Sequence, residues 1–211
     1  MFNITTLIIV ITVGVSLYAF ERRDIMNKLI FNAYVINVRK QWYRFISHGF
    51  IHADYMHLAV NMFVLFGFGR VVESYFTENF GPMGIVGYIL LYISAIGIAS
   101  ISSYIKYKNS PNYNSLGASG ATSAVLYASI LINPWGQLYI YFIPLPGIVF
   151  GVIYLVYSSY MGRRGGDYIN HDAHIYGAIF GFLYPILIQP QLALDFLQKL
   201  VSGISNIGIT P

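Results

Sequence analysis

The chain has 211 residues, 56% of them hydrophobic and only 9% charged, with a formal net charge of +4. Soluble domains carry about 25% charged residues, so this deficit excludes a soluble enzyme and a disordered segment. Twelve Lys and Arg against eight Asp and Glu are too few for a nucleic-acid-binding surface, and the lack of cysteine excludes disulfides, thiolate metal sites and a Cys nucleophile. The chain belongs in a lipid bilayer.

A spanning helix needs about 20 apolar residues, somewhat fewer where it ends inside the protein. The first candidate covers residues 5–20 and is followed at once by Glu21, Arg22, Arg23 and Asp24. No Lys or Arg precedes it and no small-residue cleavage pattern follows, so it reads as a retained helix rather than a signal peptide. Residues 21–54 form a mixed segment whose Arg39, Lys40, Trp42, Tyr43 and Arg44 suit the membrane interface. Further helices are predicted over 55–72, 84–104, a short 119–132 ending before Pro134, 147–160, and 171–188 closed by Pro190. Between them lie a mostly polar loop at 105–116, a proline-broken apolar stretch at 139–146 and a Gly- and Arg-bearing loop at 162–166. In the tail, 192–201 places Phe196, Leu197, Leu200 and Val201 at helical spacing, as in a helix lying on the surface. The reading is all-α: a polytopic bundle of six membrane helices, one domain over 1–211, with no internal repeat and no soluble domain.

Polar residues inside such helices are costly in hydrocarbon and by default mark a functional site with a partner. Three groups stand out. His57 and Asn61 are four residues apart and share a helix face; read blandly, they are an interhelical hydrogen-bonding pair. Gly117-Ala118-Ser119-Gly120 opens the fourth helix. Small residues there suit close packing, but a serine at a helix N-terminus is also a candidate nucleophile, with backbone N–H groups and the positive dipole end beside it. His174 shares a face with Gly177 and Gly181. Those glycines let a neighbouring helix approach where the imidazole points, as a general base for a serine requires; a histidine satisfied by a backbone carbonyl is the bland alternative. Taken together the three groups supply nucleophile, base and oxyanion donors, and one active site accounts for them better than three coincidences. Gly84, by contrast, is expected to tolerate a larger side chain.

These motifs, in this order and with Trp42-Tyr43-Arg44 ahead of them, resemble those of the rhomboid intramembrane serine proteases, of the six-helix bacterial type, over residues 41–181. The resemblance implies a Ser119–His174 dyad, with His57, Asn61 and the Ser119 backbone N–H as oxyanion hole. It implies structural roles for Arg44, Gly117, Gly120, Gly177 and Gly181. It also implies a substrate that is itself a transmembrane helix, no cofactor, no metal, and a multi-pass location in a bacterial inner (plasma) membrane. Two departures accompany it. The family's adjacent Trp-Arg is split here by Tyr43, which takes the aromatic role. Many members carry an aromatic residue four positions after the serine, stacked on the catalytic histidine; here that position is Ser123, and neither Tyr127 nor Tyr176 is taken as its replacement.

Fourteen residues of helix span roughly 21 Å against about 30 Å of hydrocarbon, so Ser119 is expected about 10 Å below one membrane surface. Irregular chain at that depth must be buried or line a wet cavity, a role assigned to Tyr113, Asn114 and Ser115. Pro144 and Pro146 mark the fifth helix as a gate by family analogy. Asp172 lies on a different helix face from His174 and is not expected to orient it. His171, His174 and Asp172, or His48, His52 and His57, could be read as metal ligands, but no His-Glu-x-x-His is present. The resemblance puts the Ser119 end outside the cytoplasm, whereas ten of the Lys and Arg lie on that side and only Arg70 and Lys199 on the other, the reverse of the positive-inside rule. The expected orientation is the one the resemblance implies. An inactive rhomboid-like protein that escorts membrane helices is the alternative function; a transporter would be expected to show repeated broken helices, and none is found.

Overall fold

The structure is a computed structural model and describes residues 3–140, 143–165 and 169–206. Helix α1 (Ile4–Glu21) starts where the Asn3 side chain accepts the Thr6 N–H, a standard N-cap. The mixed segment is not a loose tether. It folds into α2 (Arg23–Leu29), α3 (Ala33–Arg39), α4 (Arg44–Ser47) and a single 3-10 turn at His48–Phe50. Buried Arg44 holds these pieces together by donating to Gln41 Oε1 and to the carbonyls of Asn27 and Ile30. Tyr43 lies against the Arg44 guanidinium, 5.6 Å from ring centre to charge.

Helix α5 (Tyr55–Phe80) runs eight residues past the expected end at 72. The apolar pattern stops at Glu73, yet Glu73 is itself buried and accepts the Ile4 and Thr5 N–H groups and the Thr5 hydroxyl. A carboxylate on the positive end of α1 is favourable, and it carries α5 past the end of its apolar pattern. Gly81 (φ 56) then turns the chain and Pro82 opens α6 (Pro82–Ala99). After a break at Ser100 the third predicted helix resumes as α7 (Ile101–Tyr107). Tight turning here overturns the expectation for Gly84: a Cβ there would lie 2.0 Å from the Phe76 carbonyl oxygen.

Helix α8 (Ser119–Ile132) keeps its expected bounds and is buried from Gly120 to its end. Its last carbonyl, Ile132 O, receives Lys199 Nζ at 2.7 Å. The proline-broken stretch forms a short antiparallel hairpin, β1 (Gln137–Ile140) with β2 (Ile143–Pro146). Helix α9 (Gly147–Arg164) continues beyond 160, so the loop predicted from 162 begins at Gly165, with Gly166 outside the described residues. Helix α10 (His171–Ile188) has its expected bounds, starts on the Asn170 side chain, and bends by 116° into the tail helix α11 (Gln191–Asn206).

Helices α1, α5 and α6 with α7 are long and apolar enough to cross a bilayer, and α10 with α11 passes as a bent pair. The exterior is apolar, with Val10, Val60, Phe63, Leu90, Val152 and Val156 exposed. The interior holds Thr5, Thr12, Ser16, Asn61, Thr122 and Ser123. Apolar outside with polar groups inside is what a bilayer selects. The fold is a polytopic helical membrane fold built round α8.

Candidate active site

The N-terminus of α8 is fixed by contacts to its backbone from three directions. From the first-loop segment, Phe31 and Ser115 exchange both backbone hydrogen bonds at 3.0 Å, and Gly117 N–H donates to His48 O at 3.0 Å. From α5, the His57 ring lies against Gly117, where an added Cβ would be 2.6 Å from Cε1. Gly117 has φ 115, a conformation open to glycine, so position 117 admits no side chain on either ground. From α10, Gly177 and Gly181 press on α8: an added Cβ would be 2.1 Å from Gly120 O and 2.0 Å from Ala124 O respectively. The expected groove is therefore occupied by the Gly120 end of α8, one turn beyond His174 on α10. An added Cβ on Gly120 would in turn meet Ala99 Cβ at 2.6 Å and Ala173 O at 3.5 Å.

Two buried histidines set the approach to Ser119. Ser16 donates to Phe50 O, so the His52 Nδ1–H donates to Ser16 Oγ at 3.0 Å while His52 Nε2 accepts the Ala118 N–H at 3.3 Å. Ser100 donates to Ile96 O, so His48 Nε2–H donates to Ser100 Oγ at 2.9 Å. Burial pushes His48 down to about 4; burial together with neighbouring His57 pushes His52 down to about 3, with Asp54 opposing. Both are neutral pins at pH 7. Beside them a cavity with room for one water molecule is lined by His48, Ser100, Ser115, Ser119 and Asn170.

Ser115 therefore lines the cavity as expected, but Tyr113 and Asn114 do not. Tyr113 stacks on Tyr107 and donates to Ser103, and Asn114 Oδ1 accepts from Asn32. Asn61 is buried; its Nδ2 donates to His57 O at 2.8 Å and its Oδ1 accepts from Thr122 at 3.0 Å. Thr122 was not visible as a site residue in the sequence, although it stands three residues after Ser119 and so shares its face. Asp172 is 3.9 Å from Lys106. Among the described residues no group of three His, Asp or Glu is arranged to hold a metal ion.

The Rhomboid domain family model matches residues 39–191. Rhomboid-like protein 11, chloroplastic, of Arabidopsis thaliana is 27% identical over 207 residues, covering 89% of this chain and 67% of that protein. Presenilin-associated rhomboid-like protein, mitochondrial, of Homo sapiens is 32% identical over 140 residues, covering 64% of this chain and 35% of that protein. Rhomboid-related protein 1 of Caenorhabditis elegans is 25% identical over 171 residues, covering 78% and 45%. This chain spans two thirds of the first relative and less than half of the other two. The names of the first two place them in chloroplast and mitochondrion rather than in a bacterial plasma membrane.

Proposed function

Because the chain belongs to the Rhomboid domain family, we propose that it is an intramembrane serine endopeptidase that cleaves transmembrane-helix substrates with a Ser119–His174 dyad. In this reading residues 1–211 are one six-span domain, without cofactor or metal. It lies in a bacterial plasma membrane with the Ser119 end outside the cytoplasm. The observation that carries the reading is the backbone contact of Gly177 with Gly120. It supports a fixed separation between the start of α8, which bears Ser119, and the turn of α10 that bears His174.

Hydrolysis then runs in two displacements. Ser119 Oγ attacks the scissile carbonyl carbon as His174 takes its proton, and the proton passes to the leaving amine as the C–N bond breaks. Water, with His174 again as base, attacks the acyl-enzyme and releases the carboxylic acid and Ser119. The one-water cavity beside Ser119 supports a supply of that water away from lipid. Asn61 spends one of its two amide N–H groups on His57 O; the other, with His57 and the Ser119 N–H, serves the oxyanion.

The test is cleavage of a model transmembrane substrate and labelling by a fluorophosphonate, in detergent. Wild-type protein should do both, and Ser119→Ala and His174→Ala should do neither while remaining folded. Turnover retained in either variant overturns the dyad; an inert wild type favours the helix-escort alternative.

A further inference from the structure

By the resemblance, Ser123 occupies the position from which many members of the family stack a ring on the base, and a hydroxymethyl group cannot do so. The ring over His174 comes from a different helix. Tyr154 of α9 lies on His174 with ring centres 5.8 Å apart and planes at 23°. Its hydroxyl is 2.6 Å from Ser123 Oγ, so one side chain joins α9, α8 and α10 one turn beyond Ser119. A second rung lies beside it. Tyr157 meets His171 edge-on at 5.8 Å, and His171 meets His174 edge-on at 5.8 Å.

We propose that Tyr154 is the positioning residue for His174, and that Ser123 is its anchor rather than a vacancy in the site. Rotation of an imidazole about its last torsion is broad and poorly held by intrinsic preference, so a base that must present one nitrogen to Ser119 needs a neighbour against its face. Tyr154 supplies that face, and its hydrogen bond to Ser123 fixes the ring in turn. Position 123 is on α8 and buried, whereas Tyr154 is carried by α9, whose buried residues are only Gly147, Gly151 and Ser158. Ring and serine are thus complementary: a small residue at 123 leaves the room that the Tyr154 hydroxyl fills.

This inference rests on the Ser119–His174 reading, and the experiment separates the two. Steady-state cleavage of a model transmembrane substrate is measured in detergent for wild type, Ser119→Ala, Tyr154→Phe, Tyr154→Leu and the double variant Tyr154→Leu/Ser123→Tyr, with thermal unfolding of each. Tyr154→Leu should lower kcat by roughly ten- to a hundredfold with KM little changed, as for a displaced reacting group. Tyr154→Phe keeps the ring but loses its anchor on Ser123, and its kcat should fall between those of wild type and Tyr154→Leu, about threefold below wild type. The double variant returns a ring from α8 and should recover most of the lost kcat. Tyr157→Leu, on the same helix but against His171, should leave kcat near wild type. If Tyr154→Leu does not fold, Tyr154→Met, which preserves bulk without a ring, takes its place. Wild-type kcat in both Leu and Met variants overturns the proposal, as does a loss that appears in KM alone or that a ring at 123 fails to restore. An inert wild type overturns the dyad reading and this inference with it, whereas an active wild type insensitive to Tyr154 overturns this inference alone.

Discussion

Helix α10 meets α8 and α9 by different means. Against α8 the contact is backbone on backbone, with Gly177 and Gly181 seated on the carbonyls of Gly120 and Ala124. Against α9 it is ring on ring, Tyr154 on His174 and Tyr157 on His171. Backbone atoms cannot repack, and such a contact fixes a distance; side chains can slide or swing and leave the helices intact. The two proposed reacting residues sit on the helices joined by backbone. The helix assigned as gate, preceded by Pro144 and Pro146, is joined by side chains, so in the proposed reading rigidity lies where bonds are made and freedom lies where a substrate helix would enter.

The strongest way to break this comparison is to insert a side chain into the rigid seam. Gly177→Val would drive its Cβ onto Gly120 O, 2.1 Å away, where no flexible side chain can give way. The helices must part, at an overpacking cost of typically 1–3 kcal/mol. A separation of about 1 Å at the reacting groups costs on the order of a hundredfold in rate. Turnover and fluorophosphonate labelling of Ser119 should fall together by at least that much, while Gly67→Val, on α5 with nothing within 4 Å, should leave both unchanged. A Gly177→Val protein as active as wild type would show that the seam does not set the site.

On the oxyanion side the seam is completed by Thr122, which joins α8 to Asn61. Losing an oxyanion donor costs about 10²–10³ in kcat, so Asn61→Ala should lower turnover by roughly a hundredfold with KM little changed. Thr122→Val leaves the Asn61 amide present and held only through its bond to His57 O, and should cost about tenfold or less. Equal losses in the two variants would mean that Asn61 acts only through its hold on α8.

His48 and His52 give the rigid side a pH limit. Their folded pKa values, about 4 and about 3, lie below the ordinary 6.5. The unfolded chain therefore binds more protons between those limits, and stability is full above about pH 7 and falls as pH drops through 6.5. At pH 5 each histidine should have cost about 2 kcal/mol. Thermal unfolding in detergent should show the decline, and His52→Gln should reduce it by about half. A midpoint unchanged between pH 7.5 and 5 would mean that these imidazoles are not held neutral.

Much of this was legible in the sequence because hydrophobic length, glycine spacing and the Ser, His and Asn motifs are local signals. Helices α8 and α10 have the bounds their patterns predict, and the Gly177 groove holds what it was expected to hold. What escaped needed long-range pairing. Glu73 looked like the end of a helix because its partner, the N-terminus of α1, lies 69 residues away. Tyr154 was indistinguishable from the other aromatic residues of α9, since stacking on His174 depends on how two helices rotate toward each other. Gly84 looked open because only the turn at Gly81 brings the Phe76 carbonyl to it. The hairpin at β1 and β2 was hidden by prolines that break helices but tolerate short edge strands.

The sharpest form of the comparison uses a single methyl group on each side of α10. Gly177→Ala places its Cβ against a carbonyl oxygen that cannot move without moving α8. Gly151→Ala, on α9, places its Cβ 3.0 Å from Ile130 Cδ1 and 3.5 Å from the Tyr127 hydroxyl. The first of these is the free end of a flexible side chain, which a few tenths of an ångström or a rotamer change relieves. The helix meanwhile gains roughly 0.5–1 kcal/mol from replacing glycine by alanine. Gly151→Ala should therefore leave turnover within about twofold of wild type and the unfolding midpoint unchanged or slightly raised, while Gly177→Ala loses activity. If both alanine variants lost activity, α9 would be seated as firmly as α8, and a helix so held could not serve both as gate and as the carrier of the ring that positions His174.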